Sequence, residues 1–166
     1  GINIMGARII TRTDGRIVDV FYVNRLGKST YEEGEIWDRV RNSLYGVLNG
    51  EMDVEELVSR RRRNRSVFEK QIPQHPTRIE IDNESSDIAT IIDIYTHDRV
   101  GLLYDITKTL TRLGLSIDYA KISTKVDQAA DVFYVRQIDG GKILDEENLE
   151  RIKSTLFDAI DVNYDL

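Results

Sequence analysis

The sequence predicts an antiparallel α+β fold made of two copies of one β-α-β-β-α-β unit, the first copy lacking its opening strand and helix. Three observations predict it. The pentapeptide Asp-Val-Phe-Tyr-Val occurs at Asp19 to Val23 and again at Asp131 to Val135, and residues of like kind flank both copies for about fifty positions, the mark of an internal duplication. Apolar spacing changes from a period of two to a helical period in the same order in both copies. Turn residues stand at the changes.

The duplication is specific in its register. Gly1-Ile2-Asn3-Ile4 and Ala7-Arg8-Ile9 lie over Gly114-Leu115-Ser116-Ile117 and Ala120-Lys121-Ile122, Thr11 over Thr124, and Asp14 over Asp127. After a one-residue gap, Arg39-Val40-Arg41-Asn42-Ser43-Leu44-Tyr45 lies over Arg151-Ile152-Lys153-Ser154-Thr155-Leu156-Phe157. The second copy has a strand and helix before Gly114, at about 87–113, whose counterpart would precede Gly1. The chain, which starts without Met, therefore reads as a piece of a longer protein that begins inside its first repeat.

Ile2 to Thr13 and Arg16 to Asn24 form a hairpin through Asp14-Gly15, a pair that supplies the positive φ of a tight turn. From Glu32 the residues Ile36, Trp37, Val40, Leu44, Val47 and Leu48 make a helical stripe that Asn49-Gly50 stops. Weaker helical spacing follows from Met52 to Lys70 through an arginine run, until Pro73 and Pro76 end it. Thr77 to Asp82 alternates as a strand, expected to close the first copy. Ile88 to Thr96 opens the second. A helix from about Gly101 carries Leu102, Leu103, Ile106, Leu110 and Leu113 on one face and ends at Gly114. Strands Leu115 to Lys125 and Ala130 to Ile138 precede a helix from about Glu146 to Ile160 with Asp145 as N-cap, and Val162 to Leu166 is a short last strand. The expected division is a partial first domain at 1–50 completed by 77–83, an Arg-rich helical linker at 51–76, and a complete second domain at 88–166.

With 166 residues the chain holds one ordinary domain or two small ones, and the duplication favours two. It has no cysteine, which removes disulfides and thiolate metal sites. No apolar run nears the ~20 residues of a membrane helix. The net charge of −6 disfavours general nucleic-acid binding. The expectation is a cytoplasmic module with neither nucleic acid nor membrane as partner. Catalysis has little material: Glu80 and Asp82 share a strand face without a third carboxylate, and His75 and His97 are the only histidines, so neither catalytic nor metal-binding residues are expected.

This ferredoxin-like β-α-β-β-α-β order gives a four-stranded antiparallel sheet with both helices on one face. The bare face and the edge then need cover, which a second copy or a homodimer through sheet edges supplies. Asp98-Arg99-Val100-Gly101-Leu102-Leu103, followed by Gly114-Leu115-Ser116-Ile117, resembles the signature of ACT domains, small regulatory units that bind amino acids. Pro76-Thr77-Arg78-Ile79-Glu80-Ile81-Asp82-Asn83 with Ser86-Asp87, Asp105-Ile106-Thr107, Ala120-Lys121-Ile122-Ser123-Thr124 and the second pentapeptide look like the C-terminal tandem ACT region of bifunctional PII uridylyltransferase/uridylyl-removing enzymes. Val100 departs from that pattern, standing where proline is usual.

The resemblance implies a parent enzyme that attaches uridylyl groups to the small nitrogen-signalling PII protein and removes them, with Mg and UTP used by catalytic domains elsewhere in that chain. It implies glutamine as effector and no cofactor in this fragment. An amino acid's carboxylate fits a helix N-terminus, so the expected ligand residues are Thr96, His97, Asp98, Arg99, Val100, Gly101 and Leu102, with Asp98 for the ammonium. Asn3 and Ile4 of the other copy face them, and Ile117 and Asp118 are their equivalents in this copy. Against this stands a plain capping role for Asp98 and a plain turn role for Gly101. The arginine run at 60–65 reads as a solvated helix end or an interdomain contact. Rival functions are a ligand-free docking or dimerisation module, and an ACT tail on another metabolic or stringent-response enzyme.

Overall fold

The structure, a computed structural model, describes residues 2–12, 14–25, 33–65, 76–125 and 128–161. The expected last strand at 162–166 and the proline-flanked His75 lie outside the described residues. The elements are β1 (Ile2–Thr11), β2 (Ile17–Arg25), α1 (Glu33–Leu48), α2 (Val54–Arg65), β3 (Arg78–Asp82), β4 (Thr90–His97), α3 (Leu102–Arg112), β5 (Leu115–Lys125), β6 (Gln128–Gln137) and α4 (Glu146–Ile160). They group into two compact units, Ile4–Val23 with Pro73–Leu166, and Gly1–Asn3 with Asn24–Ile72.

The first unit is an α+β layer on a six-stranded sheet of order β2-β1-β5-β6-β4-β3. At the hairpin between β1 and β2 the Gly15 backbone sits at φ +79°, and Asp14 Oδ1 accepts from Arg16 N at 3.1 Å, so Asp-Gly makes the turn the sequence predicts. The β1 to β5 register pairs Ala7 with Ile122, Arg8 with Lys121 and Ile9 with Ala120. Since Ala7, Arg8 and Ile9 are the repeat equivalents of Ala120, Lys121 and Ile122, Ala7 meets the equivalent of Ile9, Ile9 meets the equivalent of Ala7, and Arg8 meets its own equivalent. That reciprocity is the signature of a local two-fold relation.

Alternate residues of the central strands point to one face and are buried there: Ile92 and Ile94, Phe133 and Val135, Ala120 and Ile122. Leu102, Ile106 and Leu110 of α3 and Ile152, Leu156 and Ile160 of α4 complete this core. Each large apolar side chain so buried contributes about 1.5–3 kcal/mol. Asp145 caps α4 by accepting from Asn148 N at 2.9 Å, and Gly114 follows α3 at φ +75°, as expected. The buried Thr90 hydroxyl donates to Asn83 Oδ1 at 2.7 Å and accepts from Ile143 N at 3.0 Å, which ties the turn before β4 to the loop before α4.

The repeats differ in cover. Phe133 is 0% exposed, whereas its equivalent Phe21 is 47% exposed, and β2 forms an edge of the sheet. Two expectations change. β3 does not lie with the strands of the first copy but pairs with β4, Ile79 opposite Ile94 and Ile81 opposite Ile92. The short turn between them, where Asp82 Oδ1 accepts from Glu84 N and Ser85 N, makes that hairpin the local solution. The division at residues 50 and 76 changes as well, because β1 pairs with β5 and carries its hairpin into the sheet unit.

The other unit holds α1 and α2. Gly46 lets Met52 approach, since a Cβ there would lie 2.6 Å from Met52 Sδ. The stripe of Trp37, Val40, Leu44 and Leu48 forms on α1 as the spacing predicts and is solvent-exposed.

Candidate amino-acid site

The turn from β4 to α3 holds most of the expected ligand residues. Thr96 faces the core and shares a hydrogen bond with Thr77 at 2.8 Å between the two hydroxyls. His97 ends β4, with Nδ1 buried and without a hydrogen-bond partner. Gly101 is the N-cap of α3 at φ +80°, a left-handed conformation that costs an L-residue about 1–2 kcal/mol. The N-cap position is this glycine itself, so the cap residue contributes no side-chain hydrogen bond. The N-terminus of a helix carries the positive end of its dipole, which favours an anion nearby.

Two of the expected residues are committed to the fold. Arg99 Nη1 pairs with Asp105 Oδ2 at 2.6 Å, and its Nη2 donates to the carbonyls of Ala159 at 3.2 Å and Ile160 at 3.4 Å at the end of α4. A guanidinium there serves the negative end of that helix. Leu102 is a core residue. Asp98 and Val100 remain half-buried on the turn.

The register decides which other residues share this end of the sheet. His97 pairs with Gln128, and Gln128 with Lys125, while Gly6 pairs with Ser123. Ile4 is thus on the same end as the turn, with β5 and β6 between them, about 14 Å in the sheet plane, while Asn3 belongs to the other compact unit. Ile4 packs partly on the core. Ile117 and Asp118 stand at the opposite end of β5, since Ile117 pairs with Val135. Asp118 is the extra residue of a β-bulge between Ile117 and Tyr119, held by Arg136, whose Nη2 donates to its Oδ1 at 2.8 Å. The local two-fold therefore divides the expected residues into two ends. Ile4 accompanies the turn of the second copy, and Ile117 and Asp118 mark the equivalent place for the first.

Sequence reasoning passed over Asp131, which is 3% exposed on the helix face of β6 and accepts from Ser123 N at 3.1 Å. Burial raises its pKa to about 7, against the lowering by the Ser123 N–H, and the Asp98 carboxylate raises it further. Its place in the repeated pentapeptide was the available signal. Among the described residues no group of three His, Cys, Asp or Glu side chains is placed to hold a metal ion, and no helix is long and apolar enough to cross a membrane.

A family model described as an ACR9-like, ACT-like domain matches residues 78–163. The chain is 37% identical over 162 residues to the bifunctional uridylyltransferase/uridylyl-removing enzyme of Azospirillum brasilense, covering 96% of this chain and 17% of that protein. It is 34% identical over 160 residues to the enzymes of the same name from Gluconobacter oxydans and Rhodospirillum rubrum, with the same coverage. The chain thus spans about a sixth of the length of the curated relatives it matches. No solved structure matches. Matched over more than half its length, and folded as a helix-covered antiparallel sheet with a glycine-led helix after β4, the chain belongs to the ACT-like domain family.

Proposed function

We propose that this chain is the tandem ACT regulatory module of a bifunctional uridylyltransferase/uridylyl-removing enzyme, with glutamine as effector. The observation that carries the reading is similarity across 96% of this chain to enzymes of that name, of which it spans only 17%. The module performs no turnover itself. It biases the balance between attachment and removal of uridylyl groups on a PII protein, chemistry that other domains carry out with Mg and UTP in the cytoplasm.

The α3 N-terminus suits the effector's carboxylate, and the half-buried Asp98 suits its ammonium. Gly101 keeps the approach open. Regulation then requires that glutamine bind one arrangement of the module more tightly than the other, and ~1–3 kcal/mol of difference makes a useful switch. Calorimetry of the chain with glutamine, glutamate and asparagine tests this: saturable binding of glutamine, lost in Gly101→Ala, is expected.

A second reading rests on the exposed β2 edge, where Ile17, Val18, Phe21 and Tyr22 are left in solvent. In that reading the chain docks a further copy or its own catalytic domains by strand pairing. A concentration-dependent dimer abolished by Val20→Pro, with no heat on adding glutamine, favours it.

A further inference from the structure

Asp131 is the only charged side chain among the described residues that the fold buries. β6 turns Ala129, Asp131, Phe133 and Val135 toward the helices, so this carboxylate lies between a small residue and an aromatic ring, opposite Ile94 of β4. Its role in the sheet is unusual. The β5 to β6 ladder pairs Lys121 with Val132 and then Thr124 with Ala129, and between these pairs the Ser123 N–H is donated to Asp131 Oδ1 at 3.1 Å. A side-chain oxygen stands where a backbone carbonyl ordinarily accepts. Ser123 is also the residue paired with Gly6 of β1, so the carboxylate grips the strand on which the two repeats meet.

Among the described residues no cationic side chain is placed against it. On β5, Lys121 is exposed on the other sheet face, and on β4 Asp93 and His97 alternate away from the buried positions. Arg99 and Asp105 are paired with each other, and Lys108 lies over the Tyr104 ring. α4 turns Ile152, Leu156 and Ile160 inward, and its charged residues, Glu146, Glu147, Glu150, Arg151, Lys153 and Asp158, are all exposed. The charge that acts on Asp131 is the Asp98 carboxylate, of like sign. A buried carboxylate with one N–H donor and an anionic neighbour is costly as an anion, and a proton is the simplest neutraliser.

We propose that Asp131 is a proton-operated rung of the sheet: ionised, it holds the Ser123 amide in a charge-assisted bond, and protonated, it holds that amide weakly, so that the junction strand β5 tightens or loosens with pH. The titration falls near neutrality, where burial and Asp98 place it at about 7. Asp19, the equivalent in the first repeat, is exposed and raised only by partial burial, so the device belongs to the fully covered copy.

Carbon-detected NMR of the Asp131 carboxyl, with the exchange rate of the Ser123 amide followed from about pH 5 to about 9, tests it. The expected result is a carboxyl midpoint near 7 and Ser123 protection that rises several-fold through the same midpoint, after correction for base-catalysed exchange. In Asp131→Asn, which retains an oxygen for Ser123, that pH dependence disappears. A carboxyl titrating below about 5, or a corrected Ser123 profile unchanged in Asp131→Asn, overturns the proposal. Should Asp131→Asn fail to fold, the carboxyl midpoint of the unaltered chain decides alone.

Discussion

Arg8 and Lys121 are paired across β1 and β5, and each occupies the same position of its own repeat. The internal duplication is thereby joined through one equivalent pair, with Ala7 and Ile9 meeting Ile122 and Ala120 on either side. The pairing sets two like charges opposite each other, a mildly unfavourable arrangement that exposure to water tempers. Replacing Lys121 by Glu should therefore raise the melting temperature slightly, by about 0.2–0.5 kcal/mol of stability, and the reversed pair in Arg8→Glu should do the same. Thermal unfolding at low and high salt checks this, the gain shrinking as salt rises.

The two phenylalanines of the repeated pentapeptide should respond unequally. Phe133→Ala empties a site in the centre of the core and is expected to cost about 3–5 kcal/mol. Phe21→Ala, at a 47% exposed position, should cost about 1 kcal/mol or less. Urea unfolding of both variants gives the comparison.

Gly101→Ala forces a Cβ onto a backbone at φ +80° and should destabilise the chain by about 1–2 kcal/mol. The same change should abolish amino-acid binding, whereas Gly114→Ala, also at positive φ but at the other end of α3, should cost similar stability and leave binding unaltered. Denaturation and calorimetry on both variants separate the two effects.

The stability of the chain should depend on pH through Asp131. Its folded pKa, raised to about 7 from the model-peptide range, means that the folded state binds the proton more tightly than the unfolded state does. Its stabilising contribution is complete below about pH 4 and is lost as pH rises through about 7, an effect of up to about 4 kcal/mol. Asp131→Asn should flatten this decline, and melting temperatures from about pH 5 to about 8.5 measure it.

The parts of the fold that local chemistry determines were legible in the sequence. Asp14-Gly15 marks its hairpin, the α3 stripe its helix, and Asp145 its cap, because each signal lies within a few residues of the structure it dictates. The partner of β3 was not legible, since strand alternation shows which face is buried and not which strand lies alongside. The bulge at Asp118 and the bond from Ser123 to Asp131 were hidden for the same reason, both depending on a register between strands distant in sequence. At the turn from β4 to α3, the backbone role of Gly101 was readable from its type and place. Arg99 looked like a ligand residue and proves to be engaged with Asp105 and the end of α4, contacts that only the packed helices create.

Titration calorimetry of the chain with glutamine, run beside asparagine and glutamate, tests the regulatory reading most directly. The account predicts a saturable heat for glutamine that Gly101→Ala removes while the fold persists by circular dichroism. Absence of heat and of any thermal shift with all three amino acids, from a chain shown to be folded, contradicts it.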